Sequence, residues 1–169
     1  MLFSKKAINQ VHISKFVSFF TSKMSTFSPF HLAVPVNNLE KSRHFYGSIL
    51  GLEEGRSSST WIDYNMGGNQ LVVHFAGEKY LGSDYINGVD KDMVPVPHFG
   101  LCLTVDEFKA LAQRLQDAKI KFIIEPHIRF EGKPGEQWTM FFKDPSNNSL
   151  EFKAMSNPKN LFAKYYVDE

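Results

Sequence analysis

The chain is short of several things, and each shortage excludes a class of protein. Cys102 is the one cysteine among 169 residues, which rules out an internal disulfide framework and suits a reducing compartment. No apolar run reaches the ~18 residues of a membrane-spanning helix. Net charge is nearly absent: 19 basic against 18 acidic side chains leave +1, which gives no reason to expect nucleic acid as a partner. Carboxylates are missing from the start of the chain, where the first is Glu40.

That acid-poor start has a character of its own. Residues 1–28 carry Lys5, Lys6, Lys15 and Lys23, many serines and threonines, and no arginine. Ile13, Phe16, Val17 and Phe20 recur at the spacing of one helical stripe. Basic, Ser-rich and amphipathic is the pattern of a transit peptide, so a mitochondrial location is expected. A cytoplasmic protein with a disordered leader, or with its start at Met24, is the alternative.

What is present is apolar matter, 43% of residues, enough for a real core. From residue 29 onward the pattern predicts an α+β domain spanning 29–155. "HLAVPV" reads as a strand. Asn37 or Asn38 can cap a helix over "LEKSRHFYGSIL", and Gly51 stands where a helix C-terminal glycine belongs. "STWIDYN" and "QLVVHF" are strands around the turn "MGGN". Residues 77–96 read as a long Gly/Asp/Pro-rich linker. The cycle then repeats: a strand at "HFGLCLTV", a helix with capping-box spacing at Thr104 and Glu107, and strands at "KFIIEP", "TMFFKD" and "SLEFKA". Two βαβββ modules, 29–76 and 97–155, are the expectation, followed by a tail over 156–169.

Each module opens on a histidine. In a strand, residues two apart share a face, so His31 lies opposite Leu32 and Val34, with Ala33 beside it. His98 lies opposite Phe99 and Leu101, with Gly100 beside it. Small neighbours leave room for something bound. On the last strands, His74 and Glu151 are read as matching places, also away from the apolar face. A lone strand histidine is more often structural; a repeated one, with a carboxylate facing it, points to a metal.

"FHLAVPVNNLEKSRHFYGSILGLEEG", "PHFGLCL" and "FFKDPSNNSLEFK" together resemble the vicinal oxygen chelate superfamily, which includes glyoxalase I, extradiol dioxygenases and bleomycin- and fosfomycin-resistance proteins. The resemblance covers about residues 29–155. It implies a curved mixed sheet around a metal cleft, a divalent metal, and a small substrate chelated through adjacent oxygens. His31, His98 and Glu151 match the ligand positions. His74 is a possible fourth ligand or a catalytic base. With three ligands, Fe(II) and dioxygenase-type chemistry lead; with four, Ni, Zn or Mn and a glyoxalase-like isomerase or lyase follow. A metal-free ligand-binding protein of the resistance type is the third reading. Against ring cleavage of the usual kind, Phe141 stands at the tyrosine position of extradiol enzymes.

His127, Arg129 and Gln137, around a Gly/Pro loop, are substrate-binding candidates, since arginine pairs bidentately with carboxylates. The tail "NLFAKYY" offers apolar residues for a homodimer, and sites in such relatives form within one chain or across two. Cys102 reads as a small core filler.

Overall fold

The computed structural model describes residues 28–164. Apart from Ser28, the leader lies outside the described residues, as do tail residues 165–169.

The first module runs β1 (His31–Val36), α1 (Leu39–Ser42), β2 (Glu53–Ser57), β3 (Trp61–Met66) and β4 (Asn69–Phe75). A hairpin follows, β5 (Ile86–Val89) and β6 (Asp92–Pro95). The second module runs β7 (His98–Phe99), α2 (Val105–Asp117), β8 (Phe122–Arg129), β9 (Gln137–Lys143) and β10 (Ser149–Met155). A 3₁₀ turn at Pro158–Asn160 begins the tail.

The duplication is carried into three dimensions. The first sheet has the order β1-β4-β3-β2 and the second β7-β10-β9-β8. In each, the opening strand pairs parallel to the closing strand, and the other neighbours pair antiparallel. Curved mixed sheets with few helices, α+β and without a closed barrel, are the fold the pattern predicts.

Local chemistry explains most boundaries. The Asn38 side chain accepts from the Lys41 N–H at 2.9 Å and starts the first helix. Thr104 and Glu107 form a reciprocal capping box at the start of α2. Gly51 sits at φ +77°, and a Cβ there would also press on the Arg114 guanidinium. Along α2, Phe108, Ala112 and Leu115 turn inward.

Three features depart from expectation. The first helix is α for one turn only and continues as a π-helix over Arg43–Ile49, where the Leu50 N–H reaches back to the Phe45 carbonyl. The consecutive Phe45 and Tyr46 are both buried there. The edge strand β2 is exposed along its length, so it carries no apolar alternation to betray it. The supposed linker holds the β5–β6 hairpin: Asp90 and Lys91 take positive φ in its two-residue turn, and Val94 packs with Ile124 and Phe141.

One core serves both modules. Val34, Val36, Phe45, Ile62, Leu71 and Val73 join Phe108, Leu115, Met140, Phe142, Leu150 and Phe152 in a single cluster. Burying side chains of this size stabilises by about 1.5–3 kcal/mol each. The modules are also stitched by polar bonds. The buried Tyr46 hydroxyl donates to Asp144 at 2.9 Å, and Asp144 further accepts from the Ser146 and Asn148 backbone N–H groups. The "DPSNN" turn between β9 and β10 is thereby fixed from the first module. Burial, with Asp144 beside it, pushes the Tyr46 hydroxyl well above its ordinary pKa.

Candidate functional site

The apolar core claims one face of each sheet. The other face of the second sheet carries an ionisable pair. His98 Nε2 lies 3.2 Å from Glu151 Oε2. The Thr139 hydroxyl donates to Glu151 Oε1 at 2.9 Å, and Lys153 Nζ stands 3.9 Å from Oε2. Phe141, fully buried, meets the His98 ring edge-on with centroids 5.1 Å apart. Backbone geometry makes the approach possible. A Cβ on Gly100 would land on the Glu151 carbonyl oxygen, so glycine alone lets the chain after β7 lie against β10 at this level.

The pair is electrostatically coupled. Burial disfavours the charged form of Glu151, but the hydrogen bond from His98, with Lys153 and Thr139 beside it, outweighs burial and holds the carboxyl below its usual range. The hydrogen bond to Glu151 raises the His98 pKa against the opposing effect of burial, with help from the Pro95 carbonyl.

The donor chemistry fits a divalent metal. His98 Nδ1 lies 2.6 Å from the Pro95 carbonyl oxygen and Nε2 lies 3.2 Å from the Glu151 carboxylate; both partners only accept, so the metal-free ring suits the doubly protonated form, and a metal at Nε2 would take the place of that proton while Nδ1–H stays on Pro95. His31 is arranged alike: its Nδ1 lies 2.7 Å from Gln70 Oε1, and its ring is otherwise exposed. A second ring nitrogen committed to an oxygen, and a carboxylate held by a hydroxyl, are the usual surroundings of metal ligands. The three residues are not gathered within one chain. Among the described residues no group of three or more His, Cys, Asp or Glu side chains could hold a metal ion. His98 and Glu151 are neighbours, while His31 is bonded to Gln70 on the first sheet.

Strand register revises the place of His74. His31 pairs with Gln70, Ala33 with Val72 and Pro35 with His74. In the second sheet His98 pairs with Ser149. With the two histidines superposed, Glu151 corresponds to Val72, and His74 corresponds to Lys153. The sequence reading that matched His74 to Glu151 is off by two residues, because strand parity fixes the face and not the position along it. His74 is exposed, pairs in register with Trp61, and lies outside the His98–Glu151 cluster.

The substrate-binding candidates also move. His127 and Arg129 are on β8, and Gln137 opens β9 opposite Arg129; none lies in a loop. Arg129 is only 4% exposed. Its Nη2 donates to the Val89 carbonyl at 2.7 Å, and its Nε is 3.3 Å from Asp92. His127 Nε2 faces the same Asp92 oxygen at 3.2 Å. The hairpin has thus taken up the charge that was offered to a substrate. These contacts were illegible because the residues supplying them lie in the apparent linker. Cys102 is exposed and is no core filler. Sequence reasoning missed Thr139; alternation on β10 placed Lys153 on the Glu151 face without giving it a role.

A duplicated βαβββ fold with an imidazole–carboxylate pair on its non-core face defines a class of small-molecule-binding proteins, many of them metal enzymes. The chain belongs to the Glyoxalase/Bleomycin resistance protein/Dioxygenase superfamily, whose family model matches residues 28–152. It is similar to a glyoxalase/bleomycin resistance protein/dioxygenase from Alicyclobacillus acidocaldarius, at 33% identity and TM-score 0.65, covering 80% of this chain and 96% of that one. It is 27% identical to a lactoylglutathione lyase of Schizosaccharomyces pombe over 70% of this chain, and spans about half (48%) of that relative's length. A lactoylglutathione lyase from Agrobacterium tumefaciens shares the fold, with TM-score 0.55 at 17% identity, 83% of this chain and 99% of that one being covered. Members of this superfamily bind small molecules and generally use divalent metals.

Proposed function

We propose that the protein is a metal-dependent enzyme acting on a small substrate with two neighbouring oxygens, and that its site is completed between two copies of the chain. The observation that carries this reading is the His98–Glu151 pair, with His98 Nδ1 tied to the Pro95 carbonyl and Nε2 turned to the carboxylate. His31, exposed and held in the same way, would supply the third ligand from a second copy. A bound divalent metal would chelate the substrate oxygens and polarise them, and Fe(II) would also admit O₂.

This chain's own residues have definite tasks. Thr139 orients the carboxylate, Phe141 packs edge-on against the His98 ring and fixes its orientation, and Lys153 places a positive charge beside the carboxylate. With Val72 where a fourth ligand would stand, the protein offers three donors, which favours dioxygenase-type chemistry. A glyoxalase-like lyase is the second reading, favoured by the 27% identity to a lactoylglutathione lyase.

The test is elemental analysis of anaerobically purified protein, paired with oxygen-uptake and lactoylglutathione lyase assays. Near-stoichiometric iron, lost in His98→Ala and kept in His74→Ala, together with oxygen uptake, is expected. Nickel, zinc or manganese with lyase activity would select the second reading. Protein that holds no metal and takes none up on reconstitution would leave ligand sequestration as the function.

A further inference from the structure

His31 is an exposed member of the proposed ligand set, and an exposed imidazole is free to carry its proton on either nitrogen. The structure shows what removes that freedom. His31 Nδ1 faces Gln70 Oε1 at 2.7 Å. A glutamine amide can present either its oxygen or its NH₂ to a neighbour. Gln70 Nε2 donates to Asp63 Oδ2 at 3.2 Å. A carboxylate paired with arginine only accepts, so the NH₂ must face Asp63 and the oxygen must face His31. Asp63 is itself pinned: Arg56 Nε lies 3.0 Å and Nη2 2.9 Å from the same oxygen, and Asp63 is 7% exposed.

These four residues come one from each strand of the first sheet, in the order β2, β3, β4, β1. The row belongs to the first module alone. By the same register, the second module has Ser149 where Gln70 stands and Phe141 where Asp63 stands, and a backbone carbonyl serves His98 instead.

We propose that Arg56, Asp63 and Gln70 form a positioning relay that fixes the His31 tautomer with its proton on Nδ1 and its lone pair on Nε2. The use made of that lone pair, metal ligation, rests on the proposed function; the tautomer does not.

The experiment is imidazole ¹H–¹⁵N long-range NMR on the ¹⁵N-labelled full chain, at alkaline pH where histidines are neutral, with His31 assigned by its loss in His31→Gln. The wild type should show the Nδ1–H form. Asp63→Asn, which never touches His31, lets the Gln70 amide turn, and His31 should move to the Nε2–H form. Gln70→Leu removes the acceptor while leaving the Arg56–Asp63 pair, and should do the same; it also covers a failure of Asp63→Asn to fold. A wild-type Nε2–H form, or variants that both keep the Nδ1–H form, would overturn the relay. Zn²⁺ affinity measured on the same samples should fall about tenfold in both variants. A changed tautomer with unchanged Zn²⁺ affinity would uphold the relay and count against His31 as a ligand.

Discussion

At the scale of single residues, His98 and Glu151 set the pH behaviour of the site. Glu151 titrates below its ordinary range, so its contribution to stability is present above the unfolded carboxyl value and is lost as pH falls through the folded one. His98 titrates above its ordinary range, so its contribution is present below the unfolded imidazole value and is lost as pH rises through the folded one. In metal-free protein the pair therefore stabilises fully between the ordinary carboxyl and ordinary imidazole values. Metal competes with the His98 proton. Zn²⁺ affinity, measured by titration calorimetry, should weaken as pH falls through the raised His98 range, with more proton released per metal bound. In Glu151→Gln the raised His98 pKa should relax downward, and affinity should stay low at every pH. Much of this was legible beforehand: alternation assigned His31, His98 and Glu151 to the face opposite the apolar residues. The protonation of the rings was not, because the oxygens they face, Pro95 O, Glu151 Oε2 and Gln70 Oε1, reach them only through folding.

At the scale of elements, the interval between β7 and β10 decides whether the pair forms. Strand backbones approach as Gly100 lies against Glu151, with no space for a Cβ. Gly100→Ala should force the strands apart and break the His98–Glu151 contact. The expected result is loss of metal binding by ~10-fold or more and a destabilisation of about 1–3 kcal/mol, the range for overpacking. Urea denaturation and metal titration check the two effects. Unchanged metal affinity would show that the close approach does not seat the ligands. Elements with strong local signals were readable: α2 carries both its cap and its apolar face, β1, β3 and β10 alternate, and β4 and β9 hold short apolar runs bounded by turn residues. Elements whose partners lie elsewhere were not. The β5–β6 hairpin owes its order to Val94 on Ile124 and Phe141, and to Asp92 beside Arg129 and His127. The π turn of Arg43–Ile49 answers to burial of Phe45 and Tyr46, the latter bonded to Asp144 in the other module.

At the scale of the whole molecule, the proposed site needs two copies. A two-fold dimer would build two equivalent sites, each with His31 from one subunit and His98 with Glu151 from the other. His31→Ala and His98→Ala should each abolish activity. Mixed after dissociation and reassociation, they should regain about a quarter of wild-type activity, since random assortment leaves one intact site in each heterodimer. No recovery, with heterodimers shown by mass spectrometry, would place each site within one chain. The exposed Phe162, 88% accessible in the tail, is an apolar side chain available to such an assembly. The sequence by itself determined the duplication, the faces of the strands and the residue types able to hold a metal, because alternation, caps and turn residues act over a few neighbours. Only the tertiary structure decided which of those residues meet. Register along the strands, the row of Arg56, Asp63, Gln70 and His31, and the separation of His31 from His98 and Glu151 all depend on contacts between segments far apart in the chain, and local periodicity carries no information about those distances.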